Sequence, residues 1–157
     1  MSMTKFPAAL TIAAMLFVFP MVSSAQDPLK GILSTAKNLK CTFPLVATGK
    51  WTAGKPEANV KPSSLVLQFI EINTDEGSAR MAASVGAYDI TVRYAGGYLH
   101  FIQSFLDGQL YTTTVLEKAA SQGKLKAVHS RHEYTDISLP GFTSSPEQYY
   151  GECEIVK

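Results

Sequence analysis

Between His129 and Glu133 the chain sets two imidazoles, a hydroxyl, a guanidinium and a carboxylate in five consecutive residues, His129-Ser130-Arg131-His132-Glu133. A zinc site would need both imidazoles on one side. A spacing of three nearly allows that on a helix but puts them on opposite faces of a strand. The flanking residues 125–128 and 134–135 read as strand, and the order is not the His-Glu-x-x-His of zinc peptidases, so no metal is expected. A serine hydrolase would show a Gly-x-Ser-x-Gly elbow, which occurs nowhere, and on a strand Ser130 points away from His129. Triads assemble in space rather than in sequence. An enzyme with a histidine base therefore remains the third-ranked reading, with no catalytic residue nominated.

The remaining chemistry is binding, and it rests on register. Gly96-Gly97 and Asp107-Gly108 are two-residue hairpin signals. They pair Tyr94 with Leu99, Val92 with Phe101, Ile90 with Gln103 and Tyr88 with Phe105. They also pair Phe105 with Leu110, Gln103 with Thr112 and Phe101 with Thr114. If Glu117 pairs with Lys124 across the next turn, Thr112 faces His129 and Leu110 faces Arg131. Gln103, Thr112, His129 and Arg131 then interrupt an apolar wall, which is what a small-molecule site needs: apolar bulk for affinity and a few polar groups for orientation. A one-residue slip at the 118–124 turn would instead turn His129 outward, and Gln103 and Thr112 would satisfy each other in a filled core. The same register sets His100 beside Arg93 on the solvent face.

These side chains must be held by a sheet. From Leu65 the apolar period is two. Residues 65–73 are apolar on both faces, 79–85 alternate, and Tyr88, Ile90, Val92 and Tyr94 form a half-buried strand. The chain continues through strands near 98–105, 110–117, 125–134 and 149–156. Asp27-Pro28 reads as the start of a short helix over 27–39, with Leu29, Ile32, Leu33 and Ala36 on one stripe. Residues 44–64, with Pro44, Pro56, Pro62, Gly49 and Gly54, read as loop around a short extended piece at Trp51. About eight strands joined mostly by hairpins predict an all-β fold, an antiparallel up-and-down barrel of calycin or lipocalin-like architecture. An antiparallel β-sandwich is the alternative.

Gly49-Lys50-Trp51 resembles the Gly-x-Trp that opens the first strand of lipocalins. The resemblance implies that Trp51 plugs the closed end of the barrel and that Arg131 packs on it. It covers a tripeptide and one arginine. The strands are short for that family, and Cys41 precedes the motif.

The first 25 residues read as an export signal: Lys5, an apolar run from Leu10 to Val22, and Val22-Ser23-Ser24-Ala25 at the cleavage positions. Cleavage there leaves 132 of the 157 residues, 26–157, as one domain with 13 basic and 13 acidic side chains. Neither sign forms a run, and basic residues do not cluster with aromatics, so nucleic acid and anionic membrane are not expected partners. No other stretch is long and apolar enough for a membrane span. The protein is expected in the periplasm or outside the cell. In that compartment the two cysteines, Cys41 and Cys153, are expected to pair and close a barrel over 41–157. No cofactor is implied. Two readings stand ahead of the enzyme. The first is a binding module for a small apolar or amphipathic ligand at Gln103, Thr112, His129 and Arg131. The second is an envelope interaction or inhibitor-type protein acting through its surface.

Overall fold

Short connections dictate neighbour-to-neighbour pairing, and the structure is a closed ring of eight antiparallel strands in chain order. A computed structural model describes residues 31–134 and 145–157. The expected export signal, the expected Asp27-Pro28 cap and most of the loop expected over Pro140–Pro146 lie outside the described residues. The strands are β1 (Leu39–Thr52), β2 (Lys55–Asn73), β3 (Ser78–Ala82), β4 (Ala87–Ala95), β5 (Tyr98–Ser104), β6 (Leu110–Ala119), β7 (Leu125–His132) and β8 (Glu147–Ile155). β8 pairs with β1 and closes the barrel. The disulfide lies on that seam: Cys41 and Cys153 are direct cross-strand partners, bonded, and fully buried.

The described half of the expected helix is not helix. Ile32–Ser34 makes one 3-10 turn, and Leu39 already belongs to β1. The turn plugs one end of the barrel with Leu33, which is wholly buried. Its orphan amides are met by side chains from the wall. Leu33 N donates to Glu117 Oε1 at 2.7 Å, Gly31 N donates to the Tyr94 hydroxyl, and that hydroxyl donates to Glu117 Oε2. Three residues bury too little to form a stable helix alone, so Leu33 and this capping hold the turn.

Residues 44–64 are not loop either. They form a long hairpin in which β1 and β2 pair continuously around Ala53-Gly54, both at positive φ, as a type I′ turn requires. Thr52 and Lys55 close that turn, so they form the hydrogen-bonded pair. Along β2 the odd residues then bond to β1, and the even ones turn their amides to the other edge. Pro56 and Pro62 are both even. Neither removes a β1–β2 hydrogen bond, which is how a proline-rich segment remains a strand.

Two bulges decide which side chains enter the core. At Pro44 the β1–β2 register shifts, so Phe43 and Val46 both face inward while Pro44 and Leu45 are exposed. At Glu71, with φ +53°, inward facing passes from Phe69 to Ile72. Residues 65–73 are thus one-sided rather than covered on both faces: Leu65 and Leu67 pack on the core and Val66 is exposed. Phe43, Phe69, Phe101, Leu39, Leu99, Ile72 and Val115 fill the interior, with Phe69 and Phe101 stacked 3.9 Å apart.

Candidate functional site

The barrel interior ends at the mouth opposite the plug in a polar cluster built from β5, β6, β7 and β8. His129 is nearly fully buried, with 3% of its surface exposed. Its Nδ1 lies 2.8 Å from Thr113 Oγ1, and Arg131 Nε donates to its Nε2 at 3.4 Å. An acceptor at Nε2 assigns the hydrogen to Nδ1, so the ring is neutral with both nitrogens engaged. Burial, and then the Arg131 charge, push the His129 pKa down to about 4.

Arg131 is two residues along β7 on the same face. Its guanidinium sits over the Tyr111 ring at 5.4 Å and the Tyr149 ring at 5.2 Å, with Glu147 at 3.8 Å. The Tyr111 hydroxyl donates to Glu133 at 2.5 Å, and the Tyr149 hydroxyl donates to Glu147. Burial, and then these carboxylates, push both phenols up to about 12. The mouth is a guanidinium clamped between two tyrosines that are themselves tied to carboxylates.

Three of the four expected residues meet here. Gln103 and His129 share one small void, and Arg131 bonds to His129. Thr112 reaches His129 only through its backbone, which hydrogen-bonds the imidazole, and the side chain of Thr113 takes the place expected for that of Thr112. The cause is the Asp107-Gly108 turn. It is a three-residue loop, Leu106-Asp107-Gly108, bracketed by Phe105 N to Gln109 O and by Gly108 N to Phe105 O, with Gly108 at φ +97°. Phe101 therefore faces Thr113 and Gln103 faces Tyr111, one residue off the two-residue register. The next hairpin is displaced as well, by a bulge between Val115 and Ala119, so Thr113 faces His129 and Thr112 faces Ser130 on the outer wall. The two displacements compensate, and His129 stays inside.

The void shared by Gln103 and His129 measures about 10 Å³ and is otherwise lined by Phe69, Met81, Ile90, Phe101 and Thr113, among others. That is about the space one water molecule needs. This void by itself is too small for a small apolar ligand. Gln103 Oε1 faces this void without a protein partner, a position suited to one bridging water.

Strand geometry separates the histidines. His129 faces inward and His132 outward, and among the described residues no three His, Cys, Asp or Glu side chains gather as a metal site. His100 lies on the outer wall, bonded to Thr114 Oγ1 and stacked on Tyr98. Trp51 departs from the lipocalin pattern. It is 54% exposed at the far end of β1 from the plug and packs edge-on against Tyr134, while Arg131 stacks on tyrosines instead.

The feature that sequence reasoning missed is on the outer wall. Cross-strand partners place Pro62, Leu45, Tyr150 and Val128 in one row over β2, β1, β8 and β7. Val60, Ala47, Gln148 and Ser130 form the next row toward the mouth, with Trp51 and Tyr134 beyond. Leu45 and Tyr150 are each 41% exposed and Val60 60%. Along the rows, Tyr150 donates to Gln148 and Gln148 donates to Ser130, which orders the polar side chains within the patch. Reading 44–64 as strand with a bulge at Pro44 would have revealed the row. No known protein family, curated protein or solved structure matches this chain.

An acid titration checks the interior. The folded state holds His129 with a pKa of about 4, below the usual 6.5, so stability is complete above pH 6.5. As pH falls from 6.5 to 4 the unfolded chain takes up a proton that the folded chain refuses. The loss accumulates to roughly 3 kcal/mol and then levels off. Denaturant unfolding of wild type and His129→Gln across this range should show that extra slope in the wild type alone. Equal slopes would mean that the imidazole is solvated.

Proposed function

We propose that this protein is an exported, non-catalytic interaction module that engages a protein partner through the apolar outer wall around Leu45 and Tyr150. The observation that carries the reading is the contiguous row Pro62–Leu45–Tyr150–Val128, extended by Val60, Trp51 and Tyr134. Apolar groups gathered in register on a sheet face mark an interaction surface, and tyrosine and tryptophan are enriched at such surfaces. The small size of the void beside Gln103 and His129 favours this reading over carriage of a small ligand at that point. Export is supported by the Lys5-to-Ala25 signal, the disulfide, and the absence among the described residues of any helix long and apolar enough to cross a membrane.

A photo-crosslinking residue placed at Tyr150, and separately at Gln122 in the β6–β7 turn, tests the proposal in the exporting host. The expected result is one adduct of defined mass with a different protein, formed from position 150 only and lost on Leu45→Glu. No adduct at 150, equal adducts at both positions, or an adduct only with a second copy would overturn it. Native mass spectrometry of the same preparation reads the mature mass, expected to begin at Gln26. A retained small molecule there would return the weight to the ligand reading.

A further inference from the structure

From Lys55 to Gln68, β2 pairs with β1 on one side, and among the described residues nothing pairs with its other side; β3 joins only at Phe69. Residues 55–62 are all exposed. Among the described residues this sheet edge is open, and its amide donors are sparse. Of the even residues that face it, Pro56 and Pro62 have no N–H, so between them only Ala58 and Val60 can donate.

The segment Pro56-Glu57-Ala58-Asn59-Val60-Lys61-Pro62 is symmetric about Asn59 in the properties that matter for pairing. Laid antiparallel against a second copy, with Asn59 on the two-fold axis, Ala58 faces Val60 of the other chain. The two donors of each copy then meet two acceptors, giving four N–H···O bonds. Proline faces proline, where neither side needs a donor. Glu57 faces Lys61 of the other copy, and the reverse, so two ion pairs form. A shift of two residues one way sets Lys55 against Lys61. The opposite shift sets Glu57 against Ser63. Charge therefore selects one register.

We infer that this protein self-associates as an antiparallel β2–β2 dimer centred on Asn59, held by the Ala58–Val60 amides and the reciprocal Glu57–Lys61 pairs. Glu57 already receives Lys50 from β1 at 3.3 Å. A carboxylate has acceptor sites for a second cation on its open side. Prolines and lysines on an edge usually blunt open-ended stacking. A two-fold pairing uses the same edge in both copies, so it closes at two chains. The inference does not depend on the proposed partner surface. Even side chains of β2 share a face with Leu45, so pairing would join the outer walls of the two copies into one sheet surface.

Sedimentation velocity on the disulfide-bonded protein over micromolar concentrations tests this directly. Wild type should form a concentration-dependent dimer. Glu57→Lys or Lys61→Glu alone sets like charges opposite each other twice, and should weaken it about tenfold or more. An equimolar mixture of the two variants should dimerise about as well as wild type, because every cross-pair is then complementary. Val60→Pro removes an edge donor as Pro56 and Pro62 already do, and should leave a folded monomer. A monomeric wild type, a mixture no better than its components, or an undiminished dimer in folded Val60→Pro would each overturn the inference.

Discussion

Cys153→Ser is expected to lower stability by about 4 to 5 kcal/mol, one of the two largest single-residue effects in this molecule. The bond closes a loop of sequence separation 112, and in the chain-entropy description a loop of that length restricts the unfolded ensemble by this amount. Two effects argue that the full value is realised. The strands are already direct partners at Cys41 and Cys153, so no backbone is displaced to make the bond. Both cysteines are wholly buried, so the serine hydroxyl would enter an apolar core beside a free thiol. At roughly 4 °C per kcal/mol for a chain of this size, melting should fall by about 15 to 20 °C. The fold should persist at room temperature, because the remaining β1–β8 ladder still closes the barrel. Thermal denaturation followed by circular dichroism, with and without reductant, reads both. Coincident melts would show that the bond does not restrain the closing seam.

The features legible in the sequence were those written locally. Gly96-Gly97 set the β4–β5 register as expected, with Val92 opposite Phe101 and Tyr94 opposite Leu99. The cysteine pairing followed from compartment and count, and it carried the closure of the ring with it. Asp107-Gly108 shows the limit of such signals. A two-residue type I′ turn and a three-residue turn with a left-handed glycine both place Gly at the same point, and only the register of the flanking strands separates them. One residue of difference exchanged Thr112 for Thr113, while a second displacement after Val115 kept His129 inside. Strand parity gives no warning of such cancellation.

The hairpin of β1 and β2 was hidden for a different reason. Prolines disrupt a strand only when their missing N–H was needed, and that depends on which edge they face. Pro56 and Pro62 face away from β1, a fact set by the Ala53-Gly54 turn and invisible to composition. The outer patch was lost with the hairpin, because Leu45 and Val60 acquire partners only once β1 and β2 are aligned. Over the described residues 31–39 the expected helix is one 3-10 turn: Leu33 and Ala36 are buried as expected, but by a plug of one turn rather than by a helix face, and Ile32 is exposed.

The second large effect is expected at Gly151, and it tests the same seam from the backbone side. Gly151 lies in β8 where the β1 register shifts, between the pairs Thr42–Glu152 and Leu45–Tyr150. There the bulge brings β1 so close that an alanine Cβ would sit 2.0 Å from Thr42 O and 2.8 Å from Phe43 Cα. These are main-chain atoms with no rotamer to escape into, and Cys153, two residues on, ties β8 to β1. Neither strand can yield without disturbing Phe43 in the core or the disulfide. Gly151→Ala should therefore cost about 3 kcal/mol, the upper part of the usual range for overpacking. Chemical denaturation measures it, and a cost below about 0.5 kcal/mol would place it among ordinary surface substitutions and exclude the close approach. The two perturbations should also couple. In the Cys153→Ser background β8 is free to move outward, so Gly151→Ala should cost less there than in the bonded protein. A double-mutant cycle should give an interaction of at least about 0.5 kcal/mol, and strict additivity would mean that the bond and the bulge do not share one rigid seam.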